Sequence, residues 1–323
     1  MRKKKATVWH WTPRAMLILG GVMTVVTVLL RVLLLPLLHD GETGRFQTNY
    51  VAIAVAAVTV PALVYLARHT YRPRVDIAPD HSLFTAVAAI GAGAVLGIWT
   101  GYHAVQWLLD GIMPLPVQVR VTTLTLVLLY AMFAFGLLGA IGMIVWGFQV
   151  AAESGTRRGM ASWWMLAPVM WAWFRLVWFE MAYSNSVGWT EKFFDFLMVI
   201  AQLLFLFKFA RFASGIGKVT TGGMLAYGMV TALFSLSGAL TRVILYFYGG
   251  AQAHAASRLA GIADFAIGAF AFAFCWALSL ACKRASLDAV VTEEELADDD
   301  TPYDPSLEPL LVLDDGDEGN SQP

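Results

Sequence analysis

The chain has 323 residues, of which 58% are hydrophobic and only 14% are charged, and its formal net charge is −1. Because a soluble domain normally has about a quarter charged residues, this composition excludes an ordinary soluble domain and predicts an integral protein of the lipid bilayer. We expect no nucleic acid among its partners.

Eight segments are apolar enough for a membrane-spanning helix, which needs about 20 mostly apolar residues. In chain order they are 14–38, 50–67, 83–109, 121–149, 160–182, 193–213, 223–248 and 260–282. The first follows a basic start and is too long for a cleaved signal peptide, so we interpret it as a permanent signal anchor. Residues 1–284 are therefore predicted to form an all-α, polytopic transmembrane helical bundle of about eight spans.

The charges of the short loops predict the orientation. Lys and Arg accumulate in the cytoplasmic loops of membrane proteins. With the N-terminus inside, the cytoplasmic side carries fourteen of these residues and the outside carries four. An even number of spans then gives a multi-pass protein of the cell membrane with both termini in the cytoplasm.

This orientation can be tested with single introduced cysteines. A membrane-impermeant maleimide added to intact cells should label a cysteine at Thr43 or Gly250, in predicted external loops, and should not label one at Pro73 or Gly155. The unsubstituted chain gives the background from its native cysteines. Labelling at Pro73 from outside would overturn the orientation.

The third segment contains a glycine pattern that is typical of close helix packing. Gly93, Gly97 and Gly101 recur at four-residue spacing, which allows the backbone of a second helix to approach closely. The partner helix can belong to this chain or to a second copy.

Ionisable residues occur within several spans, where they are costly and normally face the interior of a bundle. Seven of them fall at a similar level, in the predicted outer half: Arg31, His103, Arg175, Glu180, Asp195, Arg242 and Asp264. Because Glu180 lies on another face of the helix from Arg175, the partner of this arginine is expected among Asp195 and Asp264. Two interpretations of these residues remain. Their charges can neutralise one another within the bundle, or they can form a site for an anion or substrate.

The seventh segment carries a polar stripe. Tyr227, Thr231, Ser235 and Gly238 share one helix face with Arg242. Lipid cannot solvate such a face, so the stripe is predicted to face either a partner helix or water.

Motifs for chemistry are lacking in the sequence. No zinc-ligand spacing, nucleophile elbow or phosphate-binding glycine loop occurs. We therefore predict no catalytic residue, no metal site and no cofactor, and an enzyme is the less favoured class.

Residues 285–323 differ in composition from the rest of the chain. They contain thirteen Asp and Glu and no Lys or Arg, so this segment carries −13 whereas residues 1–284 carry +12. We predict a disordered acidic cytoplasmic tail. Its apolar stretch SLEPLLVLDD can bind a cytosolic partner, fold back on the basic inner loops, or stay solvated.

Two functional interpretations follow from these patterns. The first is transport or permeation of a small solute through the bundle, with an anion favoured by the basic residues at the outer level. The second is a non-enzymatic membrane sensor, scaffold or partner subunit that acts through bundle contacts and the acidic tail. A water-filled cavity reaching Arg242 would favour the first, and a packed bundle with every charge paired would favour the second.

Overall fold

A computed structural model describes residues 12–38, 50–68, 83–111, 122–152, 164–182, 189–214, 221–248 and 258–298. Over these ranges the chain forms eight α-helices, and a 3₁₀ turn at Trp164–Leu166 precedes the fifth. They are α1 (Thr12–Leu38), α2 (Tyr50–Arg68), α3 (Leu83–Asp110), α4 (Thr123–Ala151), α5 (Ala167–Ala182), α6 (Trp189–Ala213), α7 (Thr221–Tyr248) and α8 (Arg258–Asp298). The all-helical fold class predicted from the sequence is confirmed.

Six of these helices are long and apolar enough to cross a membrane, namely α1, α3, α4, α6, α7 and α8. The apolar part of α2 is shorter, at Ile53–Leu66, and α5 has 16 residues. The protein is therefore a multi-pass membrane protein, with six helices of spanning length among its eight described helices.

The fifth predicted span starts later than the sequence suggested. The prediction placed its beginning at residue 160, but the α-helix begins at Ala167 and has Pro168 as its second residue. Proline is tolerated in the first turn of a helix because the amide hydrogen that it lacks would have no partner there. The resulting helix is about 24 Å long at 1.5 Å per residue, shorter than the roughly 30 Å hydrocarbon core.

Helix α8 extends beyond the predicted start of the tail at residue 285. Helix α8 continues to Asp298, so residues 285–298 are helical, while residues 299–323 lie outside the described part of the chain. Alanine, leucine and glutamate are strong helix formers, and a segment that extends an existing helix avoids the cost of nucleation. Composition alone missed this continuation because it ignores the helix that precedes the tail.

The last six helices form a ring. Each of α3 to α7 packs against the next helix in the chain, and α8 closes the ring by packing against α3 as well as α7. Helices α3 and α4 run antiparallel: Gly93 of α3 approaches Ile144 of α4, and Gly147 of α4 approaches Ile90 of α3. Helices α1 and α2 lie outside this ring, where both contact α7.

The glycine pattern of α3 makes its contact within the chain. A Cβ atom at Gly93 would lie 2.7 Å from the carbonyl oxygen of Ala140, and one at Gly97 would lie 3.3 Å from the Ala140 side chain. At Gly101, no described atom would lie within 4 Å. Two of the three predicted glycines therefore pack on α4, and the third does not take part in this contact.

Aromatic side chains fill the ring interior toward the end predicted to be cytoplasmic. Trp146 of α4, Phe209 of α6 and Phe274 of α8 meet there, with ring centroids 4.8–6.2 Å apart. Phe205 and Phe270 join the same cluster. Because α4, α6 and α8 are not neighbours around the ring, their side chains meet inside it. We call these five residues the aromatic plug.

Candidate functional site

The ring interior holds a buried ion pair between Arg175 of α5 and Asp264 of α8. The two guanidinium nitrogens Nη1 and Nη2 donate to the two carboxylate oxygens over 2.6 and 2.9 Å. Asp264 is fully buried and Arg175 is 11% exposed. The predicted pairing of Arg175 with an acid is confirmed, and Asp264 is that acid. A bidentate contact of this kind fixes the relative orientation of the two side chains and also neutralises their charges.

A glutamine joins the pair to a third and a fourth helix. The Gln202 side-chain oxygen accepts a hydrogen bond from Arg175 Nη1 (3.1 Å), and its amide nitrogen donates to Asp264 Oδ1 (2.9 Å) and to Ser235 Oγ (3.0 Å). We call Arg175, Gln202, Ser235 and Asp264 the polar network. Gln202 and Ser235 stand at the middle of α6 and α7, so the network lies at the middle of the bundle.

Gln202 was not predicted from the sequence, because it is not ionisable and does not belong to the stripe of α7. The available signal was an amide in the centre of an otherwise apolar span, since a polar side chain at that depth needs a partner. Its amide has one strong acceptor and two donor hydrogens, and the structure uses both ends of it. Gln202 therefore connects the ion pair to the polar stripe of α7.

The polar stripe of α7 faces a neighbouring helix. Thr231 Oγ1 donates to the Ala201 carbonyl oxygen of α6 over 2.8 Å, and the Lys208 ammonium of α6 lies 5.9 Å from the ring centroid of Tyr227. Ser235 Oγ accepts a hydrogen bond from Gln202, which also belongs to α6. Of the two alternatives that the sequence left open, a partner helix is therefore the one that these three residues meet.

Arg31 lies at a separate place, outside the ring. It is 2% exposed, its Cζ atom is 4.9 Å from the Phe194 ring centroid, and its Nη1 atom is 3.9 Å from where a Cβ on Gly238 would be. Asp195, which follows Phe194 in α6, is buried as well. This second buried polar position sits where α1, α6 and α7 meet.

The remaining candidate acid does not extend the polar network. Glu180 is exposed on α5, in agreement with its position on another face from Arg175. The side chain of Arg242 lies outside the described residues, so its place on the polar face of α7 stays a prediction.

His103 is surrounded by aromatic rings beside the polar network. Its ring centroid is 4.8 Å from that of Trp99, which is 6.2 Å from that of Trp171 on α5. The Trp171 ring in turn lies 5.2 Å from Arg175 Cζ. An unbroken series of contacts therefore leads from His103 to the ion pair. We call His103, Trp99, Thr100 and Trp171 the donor cluster.

Thr100 and Trp171 come close to one another because α4 has a glycine between them. A Cβ at Gly136 would lie 2.7 Å from Thr100 Oγ1 and 2.9 Å from Trp171 Cδ1. The absence of a side chain at Gly136 therefore allows α3 and α5 to approach the same point of α4. Gly136 was not predicted as a packing residue, since it lies outside the four-residue pattern of α3.

The polar atoms of the donor cluster are buried and lack hydrogen-bond partners among the described residues. They are His103 Nδ1 and Nε2, Trp99 Nε1, Thr100 Oγ1 and Trp171 Nε1. All four side chains are 5% exposed or less. Nearly all buried polar groups in proteins find a partner, and these five atoms depart from that rule among the described residues.

In the part of the chain that the structure describes, no three His, Cys, Asp or Glu side chains come together as a metal site would require. Comparison of the chain with protein-family models, with curated proteins and with solved structures found no match. Its function has therefore to be inferred from the side chains and their geometry.

Proposed function

We propose that the protein transports a small polar solute across the membrane through the ring of α3 to α8. The observation that supports this proposal is the polar network at the middle of the ring, built from four helices. Apolar residues of the same volume would fill this interior without the desolvation cost of two charges. Charged residues inside membrane bundles are, for that reason, characteristic of solute and ion pathways.

The two ends of the ring interior differ in a way that suits a transporter. The aromatic plug occupies the end predicted to be cytoplasmic, whereas the polar network and the donor cluster lie from the middle toward the opposite end. Transporters bind their solutes near the midplane and close one side at a time, often beside a short or interrupted helix. Helix α5, which carries Arg175 and has 16 residues, fits that role.

The plug can be tested by removing one of its rings. In proteoliposomes, the wild-type protein should take up potassium nitrate in the presence of valinomycin, or urea, faster than empty vesicles do. Phe209→Ala should raise that rate severalfold, because the deleted ring leaves a cavity at the end of the ring interior that the plug fills. Phe207→Ala, on the lipid-exposed face of the same helix, is the matched control and should leave the rate unchanged.

A non-enzymatic sensor or partner subunit is the second candidate function. Two observations favour it, namely the polar stripe of α7, whose Thr231 and Ser235 are satisfied by α6, and the pairing of Arg175 with Asp264, which is the outcome expected for this class. The same vesicle measurement separates the two candidates. If neither wild type nor Phe209→Ala accelerates uptake of nitrate or urea, transport is rejected and the sensor interpretation stands.

A further inference from the structure

The ring interior contains a second group of buried polar side chains, which the polar network does not use. We infer that this donor cluster, His103, Trp99, Thr100 and Trp171, is a binding site for a small monovalent anion of about the size of formate or nitrate. The inference rests on the proposed function, since it names the class of solute that the ring would bind.

The four side chains of the donor cluster are deeply buried. His103 and Trp99 are 5% exposed, and Thr100 and Trp171 are fully buried, yet their polar atoms have no hydrogen-bond partner in the described part of the chain. A buried donor without a hydrogen-bond partner is unfavourable, and here four neighbouring residues each carry such a donor. A ligand with several acceptor atoms would satisfy them.

The chemistry of these atoms selects the ligand. Two indole N–H groups, one hydroxyl and one N–H of a neutral imidazole can donate, and only the hydroxyl oxygen and the other imidazole nitrogen can accept. Such an excess of donors favours an acceptor, and a carboxylate or nitrate offers two or three oxygens. A cation is disfavoured, because the nearby carboxylate of Asp264 is engaged by Arg175 and Gln202.

The charge of the ligand follows from the same ion pair. Arg175 lies 5.2 Å from the Trp171 ring, but Asp264 neutralises it. The surroundings of the donor cluster therefore offer hydrogen bonds and little net positive charge. One negative charge can be stabilised by directed donors in such a place, whereas a divalent anion would remain uncompensated.

The helices approach closely at the donor cluster. Thr100 Oγ1 and Trp171 Cδ1 both lie within 3 Å of one point above Gly136, and the ring centroids of Trp99 and His103 are 4.8 Å apart in an edge-to-face contact. Packing as close as this limits a ligand to a few heavy atoms, as in formate and nitrate.

The test is calorimetric titration of the whole protein in nanodiscs with sodium formate, formamide and methylammonium gluconate. Formate should bind, formamide should bind about tenfold more weakly, since hydrogen bonds to a charged acceptor are the stronger ones, and methylammonium should not bind. Trp171→Phe and His103→Phe remove hydrogen-bonding atoms but keep a ring, and each should weaken formate binding about tenfold. Trp173→Phe, on the exposed face of α5, is the matched control.

The outcomes separate the site from the transport proposal. Formate binding that Trp171→Phe leaves unchanged, or no formate binding to wild type, overturns the site even if vesicle uptake is observed. Formate binding that both variants weaken, without any vesicle uptake, supports the site and rejects transport. Unchanged thermal unfolding of each variant establishes that lost binding reflects lost donors and not a lost fold.

Discussion

Asp264→Leu is expected to lower the free energy of unfolding by about 3–5 kcal/mol, the usual cost of leaving one member of a buried ion pair without its partner. Asp264 is fully buried, and both of its oxygens accept from Arg175. The substitution also leaves the Gln202 amide without one of its two acceptors. The measurement is reversible unfolding in mixed micelles, compared with wild type at equal protein-to-detergent ratio.

The double variant distinguishes loss of the pair from loss of an isolated charge. Arg175→Met together with Asp264→Leu should recover part of the stability, because the uncompensated guanidinium is gone, whereas Gln202 still lacks its bonds to both residues. Glu180→Leu, at an exposed acid on α5, is the matched control and should change stability by no more than about 0.5 kcal/mol. A double variant as unstable as Asp264→Leu alone would contradict the ion pair.

Gly93→Ala should lower the free energy of unfolding by about 1–3 kcal/mol, the range for overpacking a close contact. The added Cβ would lie 2.7 Å from the Ala140 carbonyl oxygen. Because this oxygen belongs to the backbone of α4, it cannot rotate away, and the two helices would have to separate. The effect is measured by the same unfolding experiment.

Gly101→Ala provides the matched control on the same helix and in the same glycine pattern. No described atom lies within 4 Å of its added Cβ, and alanine is the better helix former by about 1 kcal/mol. We therefore expect Gly101→Ala to be neutral or stabilising. Equal destabilisation at both positions would show that the pattern as a whole, and not the contact of Gly93 with α4, limits stability.

The candidate site was only partly predictable from the sequence. The cost of burying a charge predicted that Arg175 needs an acid, and the helical repeat excluded Glu180. The ion pair between Arg175 and Asp264 joins residues 89 positions apart along the chain, and the contact of Gln202 with Asp264 spans 62 positions. No local pattern encodes such pairs, because they depend on how the helices are arranged around the ring.

By itself, the sequence determined that this is a helical membrane protein and where most of its helices run, because hydropathy and helix length are properties of contiguous residues. The tertiary structure alone decided that six helices form a ring, that the stripe of α7 meets α6, and that the donor cluster lies beside the ion pair. The physical reason is that a lipid-facing side and a helix-facing side are both apolar in a membrane bundle. The hydrophobic pattern therefore does not show which face of a helix is buried or which neighbour it meets.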